Sequence, residues 1–279
     1  MAAESERPRA RDDATAPLPP GSVLRIGSGA TQIVVAPDAG GRIAQIVHDG
    51  VAQLVGPEDV LPATIAWGCY PMLPWVGRIR RGRFRFDGRQ YVLPANFGAH
   101  AIHGFGFALP WQVEAQTCDA VALSLALPLD ADWPFGGTAA QRIEVAPGRI
   151  MLTLSLAAGE HAMPAEIGWH PWFRKPERVA FAPAQVYPRD DDGIATLPLA
   201  PAAPSPWDDC FPGGDDIVLH RGDQRLRLRS DCDHRVVYDA APHATCVEPQ
   251  SGPPDAFNLA PRRLAPGERL TRWFELAWE

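Results

Sequence analysis

No run of apolar residues in the 279-residue chain approaches the roughly 20 needed to cross a bilayer as a helix. The five cysteines, Cys69, Cys118, Cys210, Cys232 and Cys246, are odd in number, widely spaced and free of any CxxC pair. Neither a zinc site nor a disulfide framework is indicated by such a pattern. The N-terminal stretch MAAESERPRARDDATAPLPPG has no apolar core of the kind a secretory signal carries, so reduced thiols in a cytoplasmic protein are expected. Surplus positive charge is absent too. The formal net charge is -7, which argues against nucleic acid or an anionic membrane as the main partner. No long stretch keeps a 3.6-residue apolar period before proline or glycine intervenes, so few or no helices are expected.

Glycine (25) and proline (30) are plentiful instead, and they favour many short strands joined by turns. Alternating runs at 23–26, 31–35 and 42–47 are bounded by turn-forming residues and read as strands. Residues 83–93 alternate, turn at Asp87-Gly88 and alternate again, the signature of a hairpin. Further strands are expected at 121–127, 141–145, 149–156, 217–219, 226–228, 235–238 and 272–278. The fold class is therefore all-β, one domain over 21–279 built from two packed sheets. A charged, Ala/Pro-rich tail over 1–20 is expected to be disordered. Arg78, Arg80, Arg81, Arg83, Arg85 and Arg89 cluster, but alternation across a hairpin sends most of them to solvent.

Polar residues gather among aromatics and turn residues in five separated segments. In IGWHPWF, His170 stands between Trp169 and Trp172, and Pro171 favours an extended backbone that presents the imidazole from a strand end. PMLPWVGRI offers Arg78 beside Trp75, and HAIHGFG offers His103 with Gly104 and Gly106, where the backbone can approach a ligand closely. WDDCF adds Asp208 and Asp209. In VEPQSGPPDAFN, Glu248 leads a loop too rich in Pro and Gly for a helix. Each segment alone has a structural explanation: a core histidine, a capping aspartate, a surface arginine, a solvated loop glutamate.

In order along the chain, PWVGRIRRGRFRFDG, AIHGFGFALPW, DWPF, IGWHPWF, WDDCF and VEPQSGPPDAFN resemble the aldose 1-epimerase (galactose mutarotase-like) family from about Gly40 onward. The resemblance implies a large antiparallel β-sandwich, the galactose mutarotase-like supersandwich, with an open sugar cleft and no cofactor or metal. It implies His170 as general acid and Glu248 as general base. It also implies that His103 holds sugar hydroxyls or the ring-oxygen region, while Arg78 and an aspartate, Asp208 in preference to Asp209, contact sugar hydroxyls. Gly77 departs from the pattern, standing where many members carry Asn.

The chemistry is consistent with those residue types. Exchange of anomers removes the C1 hydroxyl proton and protonates the ring oxygen as the C1–O5 bond opens. One base and one acid suffice. With ordinary pKa values of about 4.3 for Glu and 6.5 for His, the rate should be bell-shaped in pH, with the acid limb from Glu248 and the alkaline limb from His170. Trp75 or Trp172 would supply an apolar wall. The expected partner is a small-molecule aldose, with the protein a monomer or homodimer. The alternatives are a noncatalytic sugar-binding or sensing protein on the same fold, and a glycoside hydrolase using Asp208 and Glu248. A third variant is an epimerase of a phosphosugar, with Arg80 or Arg81 at one end of the cleft.

Overall fold

The computed structural model describes residues 13–59 and 63–279. Strands make up 50% of it and helix 4%, so the chain is all-β, as its short alternating runs require. The larger sheet contains β1 (Leu24–Ser28), β2 (Thr31–Ala36), β3 (Arg42–His48), β4 (Cys69–Met72), β5 (Gly168–Arg174), β6 (Asp208–Pro212), β7 (His234–Tyr238) and β8 (Ala244–Gln250). Their spatial order is β1-β2-β3-β4-β5-β8-β7-β6, with the short strand Val51–Ala52 beside β3. Every pairing in it is antiparallel.

A second antiparallel sheet packs against the first. Its spatial order is Gln112–Gln116, Ala120–Ala126, Thr138–Ala146, Arg149–Ala157, Arg269–Trp278, Gln224–Ser230, Ile217–Arg221 and Arg178–Ala180. Period-2 alternation sends Ile150, Leu152, Leu154 and Leu156 inward. They join Ile33, Ile43, Trp169 and Val247 from the larger sheet in one hydrophobic core. Removing each such side chain from water stabilises the fold by about 1.5–3 kcal/mol. Trp169 bridges the sheets: its ring lies 5.8 Å from that of Phe274, and its Nε1 donates to Gln141 Oε1 at 3.2 Å.

The hairpin expected at 83–93 forms, with Arg83–Phe86 paired to Arg89–Val92 across Asp87 and Gly88, both at positive φ. Phe84 and Phe86 are buried while Arg83, Arg85 and Arg89 face solvent. The one α-helical segment among the described residues is the single turn Ala256–Leu259.

The tail expected over 1–20 lies outside the described residues up to residue 12. Residues 13–20 are not loose. Ala14 is fully buried and donates its N–H to Asn96 O, while Ala14 and Ala16 accept from the N–H groups of Ile65 and Thr64. This segment docks through its backbone, a mode that composition does not reveal. The outward face of the larger sheet is roofed near β4 by a second apolar cluster that includes Tyr70, Met72, Val76, Ile102 and Phe107. The buried Arg42 ties this region together by donating to the carbonyls of Ala39, Thr64, Trp67 and Phe107.

Candidate active site

Alternation along β5 turns Trp169 and Phe173 into the core and leaves His170 and Trp172 on the opposite face. Gly168 pairs with Gln250, and Trp172 pairs with Cys246. That register sets His170 opposite Glu248. Between the two pairs stand Pro171 and Pro249, which have no N–H to give to a ladder. The same row continues to Tyr70 on β4 and to Val236 and Cys210 on β7 and β6. The outer face of four adjacent strands, β5, β8, β7 and β6, thus forms the floor of a cleft of about 290 Å³, with Tyr70 of β4 beside it.

His170 and Glu248 are both buried, with Nε2 and Oε1 3.2 Å apart. Gln250 donates from Nε2 to the other carboxylate oxygen of Glu248 at 2.9 Å. The His170 ring stacks on Tyr70 at 4.8 Å and on Trp172 at 5.5 Å, which fixes its plane. His103, held at φ 59°, brings its ring to 5.0 Å from that of His170, edge to face. Both rings line the cleft, and the backbone of His170 itself helps hold its imidazole.

Arg78 comes from the two-residue strand Arg78–Ile79, paired with Ala101–Ile102. Its guanidinium lies 5.4 Å from the Phe97 ring centroid, and Nη1 donates to Gly193 O at 3.2 Å. Asp208, opposite Tyr238, shares the cleft face of β6 with Cys210. Asp209 lies opposite the buried Val237, yet it too lines the cleft. The five candidate residues His170, Glu248, His103, Arg78 and Asp208 therefore surround one cavity.

Burial shifts the titration of each member of the pair. Loss of water pushes His170 down to about 3, with the Arg42 charge adding to the effect. It also raises Glu248 well above the usual carboxylate range. Asp208 adds to that rise, while the Gln250 hydrogen bond and Arg78 oppose it. His103 is likewise held well below the ordinary histidine value by burial, then by His170 and Arg78. Burial therefore acts against the charged forms of both partners, which their ordinary values would favour.

Other details differ from expectation for local reasons. His170 is the third residue of a seven-residue strand, not at a strand end, and Glu248 lies inside β8, not in a loop. Trp75 packs in the core against Phe105 and Trp133, leaving Trp172 as the tryptophan on the cleft. Gly104, at φ +75°, serves a close approach of the protein to itself: a Cβ there would meet Leu73 O at 1.8 Å. Gly77, at φ +56°, is pressed against Pro254, and its carbonyl accepts the His103 N–H at 3.0 Å.

Sequence reasoning missed Tyr70, Gln250 and Arg189. Gln250 was legible in principle, two residues after Glu248 on the same face of a strand. Arg189 carries no local motif. It lines the cleft, donates from Nη1 to Asp208 and approaches Asp209 from Nε at 3.4 Å. Among the described residues no group of three or more His, Cys, Asp or Glu is placed to hold a metal ion.

A family model for aldose 1-epimerase matches residues 22–277. The chain is 26% identical to the uncharacterized Escherichia coli protein YihR over 251 residues, 78% of this chain and 80% of YihR. It is 27% identical to the uncharacterized YphB of the same organism over 155 residues, 54% of this chain and 52% of YphB, so that match spans about half of YphB's length. The fold superposes on a galactose mutarotase-like protein from Clostridium acetobutylicum with a TM-score of 0.83 at 18% identity, covering 92% of this chain and 95% of that one. It also superposes on galactose 1-epimerase from Lactobacillus acidophilus with a TM-score of 0.76 at 17% identity, covering 90% and 91%. At such identities the structural likeness speaks to the fold.

Proposed function

Because the chain belongs to the aldose 1-epimerase family, we propose that it is a mutarotase, interconverting the α and β anomers of a free aldose by acid–base ring opening and reclosure. The observation that carries this reading is the buried pair of His170 and Glu248, 3.2 Å apart on the cleft floor. O1 and O5 of an aldose are bonded to the same carbon. Two proton-exchanging atoms at this spacing are therefore matched to two adjacent oxygens.

A sugar O1–H that donates to Glu248 favours the carboxylate, with the proton of the pair on His170. Glu248 then takes the O1 proton as C1=O1 forms. The C1–O5 electron pair passes to O5, which receives the proton from His170. The step ends on neutral His170 and protonated Glu248, the state that burial favours. Rotation about C1–C2 and the reverse transfers close the ring on the other face. His103, Arg78 and Asp208 hold the sugar by its ring-oxygen region and hydroxyls, and Trp172 offers an apolar wall. A cavity of about 290 Å³ suits a single pyranose, since pockets for larger drug-sized ligands run to roughly 1,000 Å³.

Polarimetry on freshly dissolved α-D-glucose and α-D-galactose tests this directly. Faster approach to the equilibrium rotation is expected for at least one sugar. No acceleration on these sugars or on a wider aldose panel would favour a noncatalytic sugar-binding protein.

A further inference from the structure

Arg189 belongs to a turn that reaches the cleft from outside the motif-bearing strands. Gly193 N–H donates to Asp190 O, and the Asp190 carboxylate accepts the N–H groups of Asp192 and Ile194, which makes the turn rigid. From it Gly193 O receives Arg78, while Asp190 and Asp192 both hold Arg80. One short segment therefore braces two arginines of the opposite wall and contributes a third, Arg189, to the cavity lining.

The Arg189 guanidinium has five N–H groups in a planar fork. Nη1 spends one on Asp208, and Nε faces Asp209 at 3.4 Å. Three remain beside the cavity, next to a carboxylate held in fixed orientation. Donors paired with an oriented acceptor form a hydroxyl-reading element, and the rigid fork keeps them in register. β6 is two strands beyond β8 in the sheet. At about 4.8 Å per strand this places Asp208 and its partner roughly 10 Å from the strand carrying Glu248, at the end of the sugar remote from C1.

We infer that Arg189 is a specificity-determining residue that contacts sugar hydroxyls at the end of the cleft away from His170 and Glu248. This rests on the mutarotase reading and adds to it the residue that selects among aldoses. Arg189 is paired with Asp208 and approaches Asp209, so its charge is balanced by carboxylates at that end of the cavity, which favours neutral hydroxyls.

The test compares D-glucose, 4-deoxy-D-glucose and 6-deoxy-D-glucose on wild type, Arg189→Met and Arg189→Lys, reading kcat/KM by polarimetry and Kd by calorimetry. Wild type should disfavour at least one deoxy sugar by about tenfold or more, as a site with paired polar groups does. Arg189→Met should treat all three sugars alike within about twofold, with Arg189→Lys intermediate. A brace without sugar contact would lower all three equally and leave the ratios unchanged, which overturns the inference. So would a wild type indifferent to both deoxy sugars. If wild type accelerates no aldose, the mutarotase reading fails separately, and the ratios of Kd still decide whether Arg189 reads these hydroxyls.

Discussion

His170 and Glu248 stand opposite each other on adjacent antiparallel strands, with Nε2 and Oε1 3.2 Å apart and both side chains buried. Strand register, not loop geometry, sets this separation. Replacing either group removes half of a proton-transfer unit while leaving the sheet intact. His170→Asn and Glu248→Gln should each lower kcat for mutarotation by about 10²–10⁴-fold. Calorimetric sugar affinity should change far less. Retention of full activity by either variant would remove that residue from the chemistry.

Burial moves both groups towards their uncharged forms, His170 down to about 3 and Glu248 well above the usual carboxylate range. The kcat/KM profile should therefore be broader than a bell bounded by the ordinary Glu and His values of about 4.3 and 6.5, with both limbs belonging to the coupled pair. A narrow bell bounded by those two values would contradict this assignment.

The same burial makes the catalytic carboxyl a stability cost. A carboxyl whose folded pKa is raised stays protonated while the unfolded chain ionises. Its penalty begins near the ordinary value and grows with pH until the folded group itself ionises. Glu248→Gln abolishes that titration. The variant should gain stability over wild type at pH 8 relative to pH 4, because it removes a group whose folded form resists ionisation. Urea unfolding at the two pH values measures it, and a pH-independent difference would refute the raised folded pKa.

Much of this arrangement was written in local pattern, and the rest was not. Alternation at 149–156 and the Asp-Gly turn at 87–88 depend on neighbours in sequence, so those elements were legible. The motifs also brought His103, His170, Arg78, Asp208 and Glu248 to one cavity. The strand carrying Glu248 was obscured because Pro249 signals a loop. A central strand tolerates it here beside Pro171 because pairing resumes on either side of both prolines. Arg189 was invisible for a different reason: its role comes from a contact with Asp208, 19 residues away, on another element. The shifted titration of His170 and Glu248 depends on burial, which no residue type announces.

Arg42 supports the cleft without touching it. Its fully buried guanidinium, lowered to about 9 by desolvation, donates to four carbonyls from three separate segments. Arg42→Met leaves all four buried acceptors without that donor. The loss in chemical unfolding should be at least about 1–3 kcal/mol, the cost of leaving even one buried acceptor unpaired. A change below about 1 kcal/mol would mean that water or neighbouring groups take over these carbonyls.

Gly77 stands where the resemblance leads to an expectation of Asn, and its surroundings are tight. The residue adopts φ +56°, and a Cβ would lie 2.7 Å from Pro254 Cβ. Asn tolerates positive φ better than most side chains, so the backbone alone does not forbid it. The contact with Pro254 does. Gly77 also holds His103 through its carbonyl, so a shift at residue 77 moves a side chain on the cavity. Gly77→Asn should therefore destabilise by about 1–3 kcal/mol and raise KM for the sugar. Pro254→Ala keeps the offending Cβ and should not relieve the cost, whereas Pro254→Gly removes it. In a double-mutant cycle, Gly77→Asn with Pro254→Gly should show a favourable coupling of about 0.5–3 kcal/mol that Pro254→Ala does not reproduce. Equal coupling for the two replacements would locate the strain in the backbone at residue 77, and glycine would then be kept there for its φ alone.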